Sequence, residues 1–160
     1  MDLPGLSRQV GAALKRAGLT VCTAESCTGG LILSVLTDVA GSSAYVEGGL
    51  VTYSNGAKTK LLGVREATLV EAGAVSAATA GEMACGARSL FDTDYALSVT
   101  GIAGPGGGTG DKPVGLTYIG LAGRDGLIRV VRQVWDGDRI ANKMLSVEAA
   151  LQLLLKRLTA

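Results

Sequence analysis

A serine stands at a turn that could present it for nucleophilic chemistry. The run Thr23–Gly30 begins at the end of a β-like segment, exposes Ser26, and passes through two glycines into a stretch with helical periodicity. Backbone N–H groups at a helix amino terminus carry partial positive charge, so such a turn can hold an oxyanion beside the Ser26 hydroxyl. The run lacks the GxSxG pattern of a nucleophile elbow, and on pattern alone Ser26 or Thr28 could instead cap the helix.

The chain contains no histidine, which restricts the base that could activate this serine. Ser-His-Asp triads, Cys-His dyads and histidine-ligated metals are excluded, so the candidates are lysine, tyrosine and the carboxylates. Lys58 follows a β-like segment that ends at Tyr53, and parallel strands end at the same edge of a sheet. Only about 1 lysine in 2,500 with an ordinary pKa is neutral at pH 7, so Lys58 would need burial. The alternative is that Lys58 and Lys60 are solvated charges on a short helix.

Two neighbours of Ser26 could also take part in chemistry. Cys27 lies near the predicted helix amino terminus, where a thiol can be activated. Without a histidine, a half-buried structural thiol is the simpler interpretation. Glu25 could be a general base, yet in a continuing strand its side chain would point away from Ser26, which favours a cap or a salt-bridge partner.

A glycine-rich segment, Gly101–Gly110, follows the β-like run 95–100 and could bind an anion. Its unhindered backbone N–H groups could cradle a phosphate, although no Gly-Lys-Ser/Thr sequence follows and no helix opens after it. The alternative is a structural or mobile loop. Arg139 could clamp a phosphate or carboxylate with two hydrogen bonds, or could be a solvated residue in a first helical turn.

Helical and β-like patterns alternate through the first hundred residues, and these elements must position the groups above. The predicted helices cover residues 6–17, 31–39, 57–62, 66–72, 77–90 and 138 onward, and the predicted strands cover 19–24, 45–53, 95–100, 114–122 and 128–135. The last two strands form a hairpin. This order predicts an α/β sandwich with a mixed sheet.

Length and composition bound the possible functions. A chain of 160 residues is the size of one domain, here taken as 1–160, and 48% hydrophobic residues argue against disorder. A net charge of +1 argues against a nucleic-acid partner. Three cysteines without CxxC spacing predict neither a disulfide framework nor a zinc site, and no apolar run reaches the ~18 residues of a membrane helix. We therefore expect a cytoplasmic protein.

Taken together, the segments resemble the CinA carboxy-terminal domain family, the bacterial nicotinamide-nucleotide amidases. The matching blocks, in family order, are Thr23–Gly30, Gly41–Ala44, Val51–Lys58, Leu62–Val64, Gly73–Ser76, Thr100–Gly107, Lys112–Gly115 and Gly137–Arg139. The resemblance spans about residues 6–155. We expect the chain to correspond to the stand-alone amidase form, without the extra amino-terminal domain of the long CinA proteins.

The resemblance implies an amidohydrolase that converts nicotinamide mononucleotide to nicotinate mononucleotide and ammonia in pyridine nucleotide salvage. It implies a three-layer α/β/α sandwich with a mixed, mostly parallel sheet, and a Ser/Lys dyad of Ser26 and Lys58 with Tyr53 nearby. Neither a metal nor another cofactor is expected. The expected substrate-binding residues are Cys27, Thr28, Gly29, Gly30, Thr100, Gly101, Gly104, Gly106, Gly107 and Arg139.

In this interpretation the turn from Cys27 to Gly30 holds the oxyanion, while the glycine-rich segment and Arg139 hold the 5′-phosphate. The only partners expected are the small nucleotide and further copies of the chain in a homo-oligomer such as a dimer, with no membrane. The alternatives are a non-catalytic nucleotide-binding regulatory module and a glycine-rich structural subunit.

Overall fold

A five-stranded sheet forms the middle layer of the computed structural model, which describes residues 1–160. Its strands are β1 (Val21–Glu25), β2 (Val46–Val51), β3 (Tyr95–Gly101), β4 (Leu116–Gly123) and β5 (Ile128–Val134). The strand order is β2-β1-β3-β4-β5. Strand β1 pairs in parallel with β2 and β3, whereas β4 runs antiparallel to β3 and β5. Four strands therefore share one direction, which confirms the mixed, mostly parallel sheet.

Helices cover both faces of this sheet. They are α1 (Leu3–Ala17), α2 (Leu31–Thr37), α3 (Asn55–Leu62), α4 (Glu66–Glu71), α5 (Ala77–Phe91) and α6 (Arg139–Leu158), and a 3₁₀ turn spans Ser42–Ala44. The larger apolar core joins α1, α2 and α6 to one face, and a smaller one joins α3, α4 and α5 to the other. The three-layer α/β/α sandwich is confirmed. None of these helices combines the length and apolar character required to cross a membrane.

The alternation of side chains along β1 shows how one strand serves both cores. Val21 packs with the larger core, whereas Cys22 and Ala24 pack with the smaller one. Successive side chains of a strand point to opposite faces. When helices cover both faces, most positions of a central strand must therefore be apolar or small. All five residues of β1 are buried.

Local capping chemistry explains where the elements begin and end. The Ser54 and Asp138 side chains accept hydrogen bonds from the backbone N–H groups of Ala57 and Ala141, which fixes the starts of α3 and α6. Ser76 caps α5 as the sequence predicts. Because Ser54 is the cap, α3 begins at Asn55 rather than at the predicted residue 57. Helix α2 ends at Thr37, two residues before its predicted end.

Helices α3 and α5 approach so closely that a glycine is required between them. A Cβ added to Gly86 in α5 would lie 1.8 Å from the carbonyl oxygen of Leu62 in α3. Gly81, one turn and a half earlier in the same helix, has only ordinary contacts, the nearest being Ile128 Cγ2 at 3.6 Å. The packing of α3 against α5 thus depends on the missing side chain at position 86.

We expect Gly86→Ala to lower the free energy of unfolding by at least about 1–3 kcal/mol, because the added methyl group forces two backbones apart. Gly81→Ala is the matched control and should leave stability unchanged or raise it by up to ~1 kcal/mol through helix propensity. Urea unfolding followed by circular dichroism measures both variants. A Gly86→Ala protein as stable as the wild type would contradict this account of the helix contact.

Candidate active site

Ser26 lies just past the carboxyl end of the central strand β1, where the hydrogen bonding of β1 with its two parallel neighbours ends. Its backbone N–H donates to the carbonyl of Val99 in β3 at 2.9 Å. On the other side, the N–H of Thr52 donates to the carbonyl of Glu25 at 2.8 Å. The chain segments that follow β1 and β2 therefore begin side by side, as expected for parallel strands.

Helix α3 starts immediately after β2 and carries Lys58 in its first turns. The side chain turns inward and is almost completely buried, with 1% of the residue exposed. Its Nζ lies 3.0 Å from Ser26 Oγ, 2.7 Å from the carbonyl oxygen of Thr52 and 3.4 Å from that of Tyr53. The structure thus brings the serine and the lysine, 32 positions apart in sequence, into direct contact.

The surroundings of Lys58 favour a neutral amine. No carboxylate forms an ion pair with it, and burial lowers its pKa below the ordinary lysine value. A neutral amine has two N–H donors and one lone pair. In that form the carbonyls of Thr52 and Tyr53 can accept from the two donors, and the lone pair would then face the Ser26 hydroxyl.

Glu25 organises the turn that follows Ser26. Its buried carboxylate accepts hydrogen bonds from Thr28 Oγ1 at 2.7 Å and from the backbone N–H groups of Ile32 and Leu33 at 2.9 and 3.1 Å. The predicted role as a cap is therefore confirmed for Glu25. The alternative that Ser26 or Thr28 caps α2 is wrong, because the carboxylate already occupies that helix end.

Three backbone N–H groups of this turn, those of Cys27, Thr28 and Gly30, donate no hydrogen bond inside the protein, whereas that of Gly29 donates to the carbonyl of Ser26 at 3.1 Å. Of these residues only Cys27 lines the cavity at Ser26 and Lys58. Free N–H groups next to a serine hydroxyl suit the stabilisation of an oxyanion. Gly29 is thus not one of the donors that the sequence analysis expected.

A cavity of about 280 Å³ opens at Ser26 and Lys58. Its lining comprises Ser26, Cys27, Tyr53, Lys58, Ala74, Val75, Thr100, Gly101, Ile102, Ala103, Gly104, Gly106, Gly107 and Arg139. Ten of the thirteen expected site residues are in this set. A groove of about 540 Å³ between α1, α2 and α6 is larger, but no nucleophile–base pair lies in it.

The turn directs three of the expected substrate-binding residues away from this cavity. Thr28 is buried with its hydroxyl on Glu25, and Gly29 and Gly30 have positive φ angles of 63° and 97°. A Cβ on Gly29 would lie nearest Lys143 Nζ at 3.8 Å, which places this glycine against α6. Thr28, Gly29 and Gly30 therefore do not line the cavity.

Four wall residues are not among those expected from the sequence: Ala74, Val75, Ile102 and Ala103. They offer apolar surface and backbone atoms, so residue type gave no chemical signal at any of these positions. The first two belong to the block Gly73–Ser76, whose place in the family pattern was the only available indication. Thr100 lines the cavity, and its hydroxyl donates to the carbonyl of Ala74 at 2.7 Å.

Arg139 stands at the cavity mouth without a carboxylate partner. Its Nη1 donates to the carbonyl of Gly104 at 2.8 Å, and Nη2 lies 3.4 Å from the Tyr53 hydroxyl. The backbone N–H groups of Gly106 and Gly107 make no hydrogen bond inside the protein. An unpaired guanidinium beside free N–H groups can bind an anionic group of a ligand.

Cys27 fits the structural interpretation of its thiol. Burial raises the pKa of this thiol to about 11, so almost none of it is thiolate at neutral pH. As for metal ligands, no group of three or more Cys, Asp or Glu side chains is arranged to hold an ion.

The chain is similar to known proteins in sequence and in fold. The family model described as the CinA C-terminal domain matches residues 4–158. Nicotinamide-nucleotide amidohydrolase PncC of Escherichia coli K12 is 51% identical over 96% of this chain and 93% of that protein. A CinA-like protein of Shewanella sp. is 48% identical over 99% of this chain, which spans only 38% of that longer protein.

A solved structure agrees with the fold over its whole length. The competence/damage inducible protein CihA from Agrobacterium tumefaciens has a TM-score of 0.96 and 44% sequence identity, and the match covers 100% of this chain and 97% of that one. The sequence resemblance is therefore confirmed by the family model, by relatives and by the fold. This chain belongs to the CinA C-terminal domain family.

Proposed function

We propose that the protein is a nicotinamide-nucleotide amidohydrolase, which hydrolyses the carboxamide of nicotinamide mononucleotide to nicotinate mononucleotide and ammonia. The observation that carries the proposal is the 3.0 Å contact of a buried, unpaired lysine amine with a serine hydroxyl at a cavity. The substrate class is supported by the name of the E. coli relative, which is 51% identical. Such a reaction belongs to pyridine nucleotide salvage.

In the first half of the reaction, Ser26 Oγ transfers its proton to the neutral amine of Lys58 and attacks the carboxamide carbon. The carbonyl oxygen of the substrate becomes an oxyanion, which accepts hydrogen bonds from the free N–H groups of the turn at Cys27. A donor of this kind typically contributes about 3–4 kcal/mol to transition-state stabilisation.

In the second half, the lysinium formed at Lys58 returns its proton to the departing nitrogen, and ammonia leaves. The product is an ester of nicotinate mononucleotide on Ser26. A water molecule then gives a proton to Lys58 and attacks the ester carbon, and the same proton goes back to Ser26 Oγ as the acid is released. One lysine serves as base and acid in both halves.

The remaining lining residues divide between the two ends of the substrate. Ala74, Val75 and Ile102 give an apolar wall suited to the pyridine ring. The 5′-phosphate would lie at Arg139 and the free N–H groups of Gly106 and Gly107. These assignments put the scissile amide at Ser26 and the phosphate at the cavity mouth.

Tyr53 serves the site in two ways in this proposal. Its backbone carbonyl orients the Lys58 amine, while the residue is 66% exposed and its hydroxyl lies near Arg139. We further propose that residues 1–160 act as a single domain, that the protein is cytoplasmic, and that it forms a homo-oligomer.

We expect Ser26→Ala to lower kcat/KM for nicotinamide mononucleotide at least ~1,000-fold, because the nucleophile is lost. Lys58→Met should lower it by roughly 100- to 10,000-fold, the range of a general base. Ammonia release by purified protein is the measurement. Ser89→Ala and Lys60→Met, at exposed positions, are the matched controls and should retain wild-type rates.

An active Ser26→Ala variant would contradict the dyad. Calorimetry with the same nucleotide separates the remaining outcomes. Binding without turnover by the wild type would instead support the nucleotide-binding regulatory module.

The pH dependence follows from the state of Lys58. The reaction requires the neutral amine, so kcat/KM should rise with pH through the pKa of Lys58 in the free enzyme and then reach a plateau. Because burial lowers that pKa, the midpoint of the rise should lie below the ordinary lysine value of about 10.4. A rate that falls as pH increases from 6 to 9 would exclude a neutral lysine base.

The same pKa shift predicts a pH-dependent stability. Between the lowered pKa of folded Lys58 and its ordinary value, the unfolded chain binds more protons, so the free energy of unfolding rises with pH. Lys58→Met removes this contribution. The stability of the wild type relative to Lys58→Met should therefore increase as pH rises, as measured by urea unfolding at pH 7 and pH 9.5. A constant difference would show that Lys58 titrates alike in both states.

A further inference from the structure

The first residues of the glycine-rich segment are hydrogen-bonded to side chains of α6. Asn142, buried in α6, donates from Nδ2 to the carbonyl of Ala103 at 3.0 Å, and Arg139 donates to the carbonyl of Gly104 at 2.8 Å. Beyond these contacts, the N–H groups of Gly106, Gly107 and Gly108 make no hydrogen bond inside the protein. The middle of the segment therefore has no backbone hydrogen bonding of its own to hold it over the cavity.

Lys112 supplies an attachment at the far end of the segment. A tight turn joins Thr109 and Lys112, with the N–H of Thr109 donating to the carbonyl of Lys112 at 2.7 Å and the N–H of Lys112 to Thr109 Oγ1 at 3.1 Å. From this turn the Lys112 side chain reaches the carbonyl of Ala72, 40 positions away, with Nζ at 2.5 Å. Lys112 forms no ion pair with any carboxylate.

The backbone at Ala72 and Gly73, which accepts this hydrogen bond, leaves room for the lysine amine. Ala72 is the C-cap of α4, where backbone carbonyls favour a positive charge. Gly73 has a φ of +80°, and a Cβ there would lie 2.8 Å from Lys112 Nζ. The next residues, Ala74 and Val75, form the cavity wall opposite the glycines. Lys112 thus connects the glycine-rich side of the cavity to the side formed by Ala74 and Val75.

We propose that Lys112 is a positioning residue: it holds the glycine-rich segment against the α4–α5 connection and so presents the N–H groups of Gly106 and Gly107 to the substrate's phosphate end. Its side chain does not line the cavity, and it takes no part in bond cleavage. This inference rests on the proposed function for its kinetic consequence, and on the structure alone for its effect on the segment.

The test compares Lys112→Met with the wild type in two independent measurements. In the free protein, ¹⁵N relaxation should show lower order parameters for the amides of Gly106–Gly108 in the variant, because the tether is lost. With nicotinamide mononucleotide as the substrate, KM should rise by about tenfold while kcat stays within about twofold, since only binding is impaired. Lys112→Arg, which keeps a cationic donor, should restore part of the lost affinity.

Lys60→Met is the control, because it removes the same charge from an exposed position. It should change neither the order parameters nor KM. Unchanged order parameters in Lys112→Met, or a kcat that falls while KM is constant, would overturn the proposal. A wild type that does not hydrolyse the nucleotide would refute the proposed function instead, and the relaxation measurement would still decide whether Lys112 orders the segment.

Discussion

The burial of the Lys58 amine without a counter-ion is the constraint on which the site depends. Removing a charged ammonium group from water costs several kcal/mol unless it is paired, so the protonated form is disfavoured here. A chain without histidine has few other ways to provide a base near neutral pH. The desolvation that destabilises the cation is therefore the same effect that makes the lysine useful as a base.

Several features of the fold maintain that environment. The two parallel ladders fix Ser26 and Thr52 next to each other, and the early start of α3 brings Lys58 back over the sheet edge. The close contact at Gly86 keeps α3 against α5, so that the lysine stays covered. On the other face of the sheet, the carboxylate of Glu25 accepts the hydrogen bonds of the first N–H groups of α2, while N–H groups of the preceding turn stay without a partner. Together these features bring the reacting groups next to each other, keep the lysine buried and leave N–H groups of the turn without a partner.

The sequence predicts those parts of the structure that depend on pattern and residue type. The order of elements, the mixed sheet and the meeting of the Ser26 and Lys58 segments follow from periodicity and from the rule that parallel strands end together. Glu25 was correctly placed away from Ser26 by strand alternation. The direction of Gly29 and Gly30 was not predictable, because it depends on positive φ angles that a glycine permits but does not require.

The parts that the sequence could not predict are mostly backbone atoms. The carbonyls of Thr52 and Tyr53, which accept hydrogen bonds from Lys58, are present at every residue and carry no signal in residue type. Their positions nevertheless decide where the amine points. They accept two of its hydrogens in either ionisation state and direct the third position of Nζ to Ser26 Oγ. A lysinium would fill that position with a third donor and could not take the hydroxyl hydrogen, whereas the neutral amine presents its lone pair there. Desolvation, which favours the neutral amine, therefore determines whether Lys58 can act as the base.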